Sequence, residues 1–187
     1  MLKDKFKPRI KARIRKNKQI INKNINTFFD WVKGAELVEL KECNTKEDPV
    51  RPELDNIFRR SYGRKIFGVK YLGEIHAVMC FAYTNQIPKN VDELDKFSHD
   101  AFLQSAQRDQ NVGQIAIAYT VWSKKKGGGK LIVKEVFKKI KKSNHLNRLV
   151  TLSPLTEMAT KFHKKNGAKL LRVNEQTQNF EYEIIKK

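Results

Sequence analysis

The stretch that most restricts how this chain can fold runs from Ile115 to Lys142. It opens with Ile-Ala-Ile-Ala-Tyr-Thr-Val-Trp, passes through Ser-Lys-Lys-Lys-Gly-Gly-Gly-Lys, and continues as Leu-Ile-Val-Lys-Glu-Val-Phe-Lys-Lys-Ile-Lys-Lys. The first part is a short apolar run rich in aromatic and β-branched residues and closed by glycines, which predicts a buried strand. In the last part Ile132, Val136 and Ile140 recur at helical spacing with Val133 and Phe137 beside them, which predicts an amphipathic helix. A strand that enters a helix through glycines leaves backbone N–H groups at the positive end of the helix dipole, a geometry that binds phosphate.

The spacing sorts the phosphate loops. Gly-x-x-x-x-Gly-Lys-Ser/Thr is absent, which excludes a P-loop, and so is Gly-x-Gly-x-x-Gly with an acidic residue about 20 positions on, the dinucleotide fingerprint. What stands here is Lys124-x-x-Gly127-x-Gly129. It resembles the pyrophosphate loop of the GNAT acyl-CoA transferases, Arg/Gln-x-x-Gly-x-Gly/Ala. The resemblance implies that Gly127, Gly128, Gly129 and Lys130 present N–H groups to a CoA pyrophosphate. It implies too that Lys124, Lys125 and Lys126 meet CoA phosphates, and that Val121 and Trp122 border the thioester. A plain strand–helix turn with solvated lysines would carry the same residues.

Charge is the unusual bulk property: 39 basic against 20 acidic residues give +19 over 187 residues. Such a surface attracts polyanions, whether nucleic acid, an acidic membrane surface or a phosphorylated cofactor. Ten of the basic residues fall between Met1 and Asn24 against Asp4 alone, a local +9. There Ile10, Ile14, Ile21, Ile25, Phe28 and Val32 share one helical face after Pro8, and Gly34 offers a stop, so a helix is expected over 9–33. A docked amphipathic helix with a solvated basic side is the expected reading, and an arm for nucleic acid or an acidic membrane surface is the alternative. We therefore expect a basic N-terminal helix over 1–34 and one domain over 35–187. No apolar run is long enough to span a membrane and no secretory h-region follows the start. Cys43 and Cys80 suit a reducing compartment, which makes a cytoplasmic location the expectation. Oligomeric state is not legible.

From residue 35 on, strands are expected at 35–40, 65–72 and 74–84, the last two as a hairpin about Gly73. A polar loop fills 41–52, and helices are expected at 53–60 and 91–107, with residues 110–113 closing the second. After the glycine unit come strands at 148–152, 168–173 and 180–185. The helix from Thr156, its cap, to Gly167, its stop, should turn Met158, Ala159 and Phe162 inward. Parallel crossovers at 131–142 and 156–166 make the expected class an α/β fold with a mixed sheet, and the resemblance to the GNAT enzymes implies a GNAT-like, mainly antiparallel sheet flanked by helices.

The candidate chemistry lies late in the chain. His76, His99, His145 and His163 have no metal-ligand spacing, so no metal site is expected, and no Gly-x-Ser-x-Gly elbow supports a hydrolase. Thr156, Ala159, Phe162, His163, Gly167 and Ala168 fall in register with the GNAT pattern Asn-x-x-Ala-x-x-Leu-Tyr-x-x-x-Gly-Phe. That register puts His163 where a tyrosine often protonates the CoA thiolate, and imidazole can move protons near neutral pH. A closer resemblance is to the GNAT-folded catalytic domain of malonyl-CoA decarboxylase, over roughly 53–185. It is carried by Ala77–Thr84 with Ile87-Pro88, by Ala116–Ser123, by Thr151-Leu152-Ser153-Pro154, and by Phe162-His163 with Asn166-Gly167-Ala168. The resemblance implies Ser153 and His163 as catalytic residues, a coenzyme A thioester (malonyl-CoA or acetyl-CoA) as substrate, and decarboxylation as the reaction. Two departures stand against it: the family's long helical insertion after Thr-Leu-Ser-Pro is missing, and so is its large N-terminal helical domain. An N-acyltransferase is the alternative, and a non-catalytic GNAT-like module that binds nucleic acid is a third reading. Taken singly, Ser153 before a proline could end a strand and His163 could pack or cap a helix.

Overall fold

The computed structural model describes residues 30–108 and 113–184, together with Lys16 and Lys18. The chain divides into two compact units, Met1–Ala35 and Glu36–Lys187. In the first, Lys16, Lys18 and residues 30–34 are helical, so the helix is seen to its end at Gly34. The rest of the expected 9–33 helix, with most of its basic face, lies outside the described residues, as do residues 109–112 and 185.

The second unit is a mixed α/β structure built on an eight-stranded sheet. Its elements are β1 (Glu36–Leu40), α1 (Asn56–Arg60), β2 (Lys65–Tyr71), β3 (Glu74–Thr84) and α2 (Val91–Arg108), followed by β4 (Ile115–Ser123), α3 (Gly128–Lys141) and β5 (Arg148–Thr151). β6 (Ser153–Pro154), α4 (Glu157–Lys165), β7 (Lys169–Val173) and β8 (Thr177–Tyr182) complete it. β1 to β4 are antiparallel neighbours in chain order. The β2–β3 hairpin turns through Leu72 (φ 51°) and Gly73 (φ 86°), two left-handed residues of the kind a tight hairpin needs. β4 and β5 are the parallel pair, joined across α3. β8 is antiparallel to β5 and β6 on one side and to β7 on the other.

Local chemistry sets these ends. Asp55 caps α1 by accepting from the N–H of Phe58 at 2.7 Å, so the helix begins three residues later than the expected 53. α3 begins at Gly128 rather than after the glycines, because Gly127 at φ 85° ends the turn and the next two glycines enter the helix. Asn90 accepts from Glu93 N–H while Glu93 accepts from Lys89 N–H, which fixes the start of α2. The final strand lies at Thr177–Tyr182, earlier than the expected 180–185. The apolar residues of β2, β3 and β4 bury a core with Ile66, Val78, Cys80, Ile117, Tyr119 and Val150 among its members.

Two features of the sheet make the site. β4 and β5 stay in register only from Ile115↔Arg148 to Ala118↔Thr151. Beyond that point β4 continues beside β3 alone, while the chain after Thr151 moves over to pair Ser153 with Gln178 of β8. The two parallel strands therefore splay. At the same place β4 carries a bulge: Cys80 pairs with Thr120 and Phe81 with Ala118, which leaves Tyr119 as the extra residue.

Candidate active site

A cavity of about 710 Å³ opens at this splay. Its walls are mostly apolar, with Val50, Met79, Ala118, Val121, Val133 and Phe162 among them. At one end stand the glycine turn and the start of α3. Gly127, Gly129, Lys125 and Lys130 line the cavity there, as do Val121 and Trp122. An α-helix leaves its first N–H groups without an intrahelical carbonyl, so the start of α3 supplies donors to an anion.

The other candidates from this loop are turned to different uses. Lys124 does not line the cavity; its Nζ pairs with Glu47 at 2.7 Å. Lys126 does not line it either. Gly128 is buried and gives its N–H to Lys125 O at 2.9 Å, closing the turn. A Cβ there would sit 2.3 Å from Ser123 Oγ, so glycine is required by the turn itself. At Gly129 a Cβ would come within 3.1 Å of Phe162, so this glycine lets the start of α3 approach α4 closely.

At the deep end Ser153 and His163 meet. Ser153 Oγ lies 2.7 Å from His163 Nε2, and both side chains are buried. Ser153 is placed by β6 pairing. His163 is placed by α4, whose start is fixed by Thr156 accepting from Ala159 N–H. His163 is the seventh residue of α4, so one turn and most of a second carry it back over the strand end. The imidazole stacks on Phe180 (ring centroids 5.0 Å, 26° between planes) and meets Phe162 edge-on at 5.1 Å. Its Nδ1 lies 3.0 Å from the Tyr182 hydroxyl. Ser153 Oγ also lies 3.0 Å from Thr151 Oγ1, which accepts from Phe180 N–H.

Thr151, Ser153, His163 and Tyr182 thus form a chain of neutral groups with two consistent proton arrangements. Either Ser153 donates to Nε2 and His163 donates from Nδ1 to Tyr182, or each of these bonds is reversed. Burial pulls the His163 pKa down to about 4, because the imidazolium would be stripped of water with no anion to replace it. Burial also raises the Tyr182 hydroxyl. At neutral pH the whole chain is therefore uncharged. Among the described residues no Asp or Glu lines the cavity.

Sequence reasoning passed over a second buried network next to the first. Asp48, placed in an undifferentiated polar loop, is 1 % exposed. It accepts from the N–H groups of Val50 and Arg51, from Thr120 Oγ1, and from Arg59 Nη2 at 2.8 Å. Arg59 also bonds the carbonyls of Leu54 and Arg51, and Arg51 Nη1 bonds the carbonyl of the bulged Tyr119. The loop that carries Pro49 and Val50 into the cavity wall is thereby tied to β4. The one sequence signal was Asp48-Pro49, a turn-forming pair. Thr151 and Tyr182 were missed as well, being ordinary strand residues in type. Met158, expected to face inward, is 77 % exposed at the cavity edge, because α4 spends its inward positions on Phe162 and His163.

No protein-family model and no curated protein matches the chain. Solved structures do. The chain is similar to GphF, a GNAT-like decarboxylase in complex with isobutyryl-CoA, at 9% identity over 80% of this chain and 100% of that one, with a TM-score of 0.62. It is similar to an acetyltransferase of Bacillus subtilis in complex with CoA at 12% identity over 81% and 99% of the two chains, TM-score 0.54. A malonyl-CoA decarboxylase from Cupriavidus metallidurans matches at 20% identity and TM-score 0.47 over 74% of this chain, which spans 36% of that protein's length. The fold is that of the GNAT-like proteins, in which decarboxylases and acetyltransferases both occur.

Proposed function

We propose that the protein binds an acyl-CoA in the splay between β4 and β5 and decarboxylates malonyl-CoA to acetyl-CoA and CO₂. The observation that carries this reading is the Ser153–His163 contact of 2.7 Å inside an apolar cavity whose other end is the glycine turn. In this reading the start of α3, at Gly129 and Lys130, receives the pyrophosphate and Lys125 meets a CoA phosphate. The thioester then runs beside Val121 toward Ser153.

The cavity's character suits loss of CO₂. A malonyl carboxylate would meet neutral donors and apolar walls, which hold a localised charge poorly. As the bond between Cα and the carboxylate breaks, its electron pair moves onto the thioester as an enolate. A hydrogen bond from Ser153 or His163 then stabilises the oxygen. Cα next takes a proton. A neutral imidazole delivers one by releasing it from one nitrogen while accepting another on the second, here from the Tyr182 side, and solvent replaces it. CO₂ and acetyl-CoA leave, and the enzyme's protons are restored.

The second reading is acyl transfer to an amine, with His163 protonating the departing thiolate. It is favoured by the short path from Pro154 to Thr156, where α4 starts at once with no insertion. Against it stands the lining of the cavity, where among the described residues no Asp or Glu is present to serve as the amine's base. The test is incubation of purified protein with malonyl-CoA alone. Stoichiometric CO₂ and acetyl-CoA support decarboxylation. Consumption of acyl-CoA only when an amine is added supports transfer.

A further inference from the structure

The cavity extends past the groups that the proposed chemistry uses. Ala116 pairs with Leu149 and Ala118 with Thr151, and side chains alternate along a strand, so these four face one side of the sheet, the side that α3 covers. Thr151 stands where β4 and β5 part. Leu149 lies two residues back, where the strands are still paired, about 6.6 Å farther in. Leu149 nevertheless lines the cavity, together with Ala118, Met79, Val133 and Val136. Val136 comes eight residues after Gly128, which puts this end roughly 12 Å along the helix from the glycine turn. Burial marks where the space stops. Ala118 is only half-buried although it sits in mid-sheet between β3 and β5. Ala116, two residues deeper on the same face, is fully buried and does not line the cavity. The exposure of Ala118 is therefore exposure to the cavity, and a larger side chain there would fill its end.

That end has nothing to hold a charge. Val133, Val136 and Leu149 are buried and offer only hydrocarbon. The Tyr182 hydroxyl beside them is engaged with His163 Nδ1 at 3.0 Å. The three lysines of the cavity wall, Lys125, Lys130 and Lys165, are partly or wholly exposed to solvent.

We infer that this end receives a hydrocarbon branch of the acyl group, so that the acid handled best is a 2-alkylmalonyl thioester with a short chain such as ethyl. The inference rests on the acyl-CoA decarboxylation reading and narrows its substrate class. With the thioester carbonyl at Ser153 and His163, Cα can turn either its carboxylate or its branch toward the apolar end. A carboxylate there would lose its water with nothing in exchange, so it stays beside the hydroxyls and the branch goes in. The step balances as before. The carboxylate leaves as CO₂, the electron pair of that bond becomes the enolate, and one proton taken up at Cα gives the saturated acyl-CoA with its branch intact. Each methylene moved from water into the pocket favours binding about fourfold. Unsubstituted malonyl-CoA leaves the end unfilled.

The test has two arms on folded wild-type protein. Calorimetric titration compares acetyl-CoA with butyryl-CoA and needs no reaction. Turnover compares malonyl-CoA, methylmalonyl-CoA and ethylmalonyl-CoA by CO₂ release. Butyryl-CoA should bind about tenfold tighter than acetyl-CoA, and kcat/KM should rise in the order malonyl, methylmalonyl, ethylmalonyl. Ala118→Val, whose added methyl groups occupy the space, should bring both ratios close to one, and the wild-type arms decide the matter even if this variant fails to fold. Equal binding of the two acyl-CoAs, or malonyl-CoA as the best substrate, overturns the inference and leaves decarboxylation standing. Binding in the expected order with no CO₂ from any of the three thioesters supports the alkyl end and overturns decarboxylation instead. No binding of either acyl-CoA overturns both.

Discussion

The two buried polar networks around the splay differ in one respect that separates structure from chemistry. The Asp48–Arg59 network is charged. Its carboxylate has four partners, its guanidinium binds two carbonyls besides, and no proton in it has anywhere to go. The Thr151–Ser153–His163–Tyr182 network is neutral, admits two proton arrangements, and opens into the cavity. A buried charge held on all sides fixes a loop. A buried neutral relay with one open end can take or give a proton. The first should therefore answer to mutation in stability and the second in turnover.

The largest expected effect is on the charged side. Asp48→Ala leaves Arg59 buried without its anion, which typically costs about 3 to 5 kcal/mol. Urea denaturation should show that loss, and a drop under about 1 kcal/mol would mean that solvent reaches Arg59. The neutral side should show itself next, through pH. The His163 pKa is lowered from 6.5 to about 4, so between those values the unfolded chain binds the extra proton and the folded chain does not. Stability from this group is full above about pH 6.5 and falls as pH drops toward 4, by about 3 kcal/mol in all. The difference in unfolding free energy between pH 7.5 and 4.5 should shrink in His163→Gln. An unchanged slope would place the titration elsewhere.

Turnover comes third. Ser153→Ala and His163→Ala should each slow malonyl-CoA decarboxylation about 10²-fold, the usual cost of a positioned proton donor or oxyanion partner. Smaller still is the cofactor end. Malonyl-CoA at about a hundred times Kd should stabilise the wild type by about 2.7 kcal/mol. Gly129→Ala, whose Cβ presses on Phe162, should remove part of that shift, read by thermal melting. Lys124→Ala should remove almost none, since Lys124 is engaged with Glu47. A full loss with Lys124→Ala would reverse the roles drawn for the turn.

These differences also mark how far the sequence could be read. The β4–turn–α3 unit was legible because its signals are local: an apolar run, glycines, then a helical stripe. Ser153 and His163 were legible through short motifs ten positions apart, which a strand and its crossover helix bring side by side. The bulge at Tyr119 was not, since it depends on how β3 registers against β4. Asp48 and Arg59 were not, because a polar loop and a charged helix end read as solvated until the fold closes over them. Tyr182 reaches His163 only through the pairing of β8 with β5, a contact between distant parts of the chain. Lys124 and Gly128 stand inside a legible motif, but the Lys124 ion pair with Glu47 and the turn closed by Gly128 N–H depend on the folded surroundings.

The measurement that tests the central claim most directly is a double-mutant cycle on Ser153 and His163 with malonyl-CoA as sole substrate, reading CO₂ release in folded protein. If the two side chains act as one relay, each single alanine variant should lose about 10²-fold and the double variant should be little worse than either. Wild-type protein that binds malonyl-CoA yet releases no CO₂, or a double variant whose loss is the product of the two singles, would contradict it.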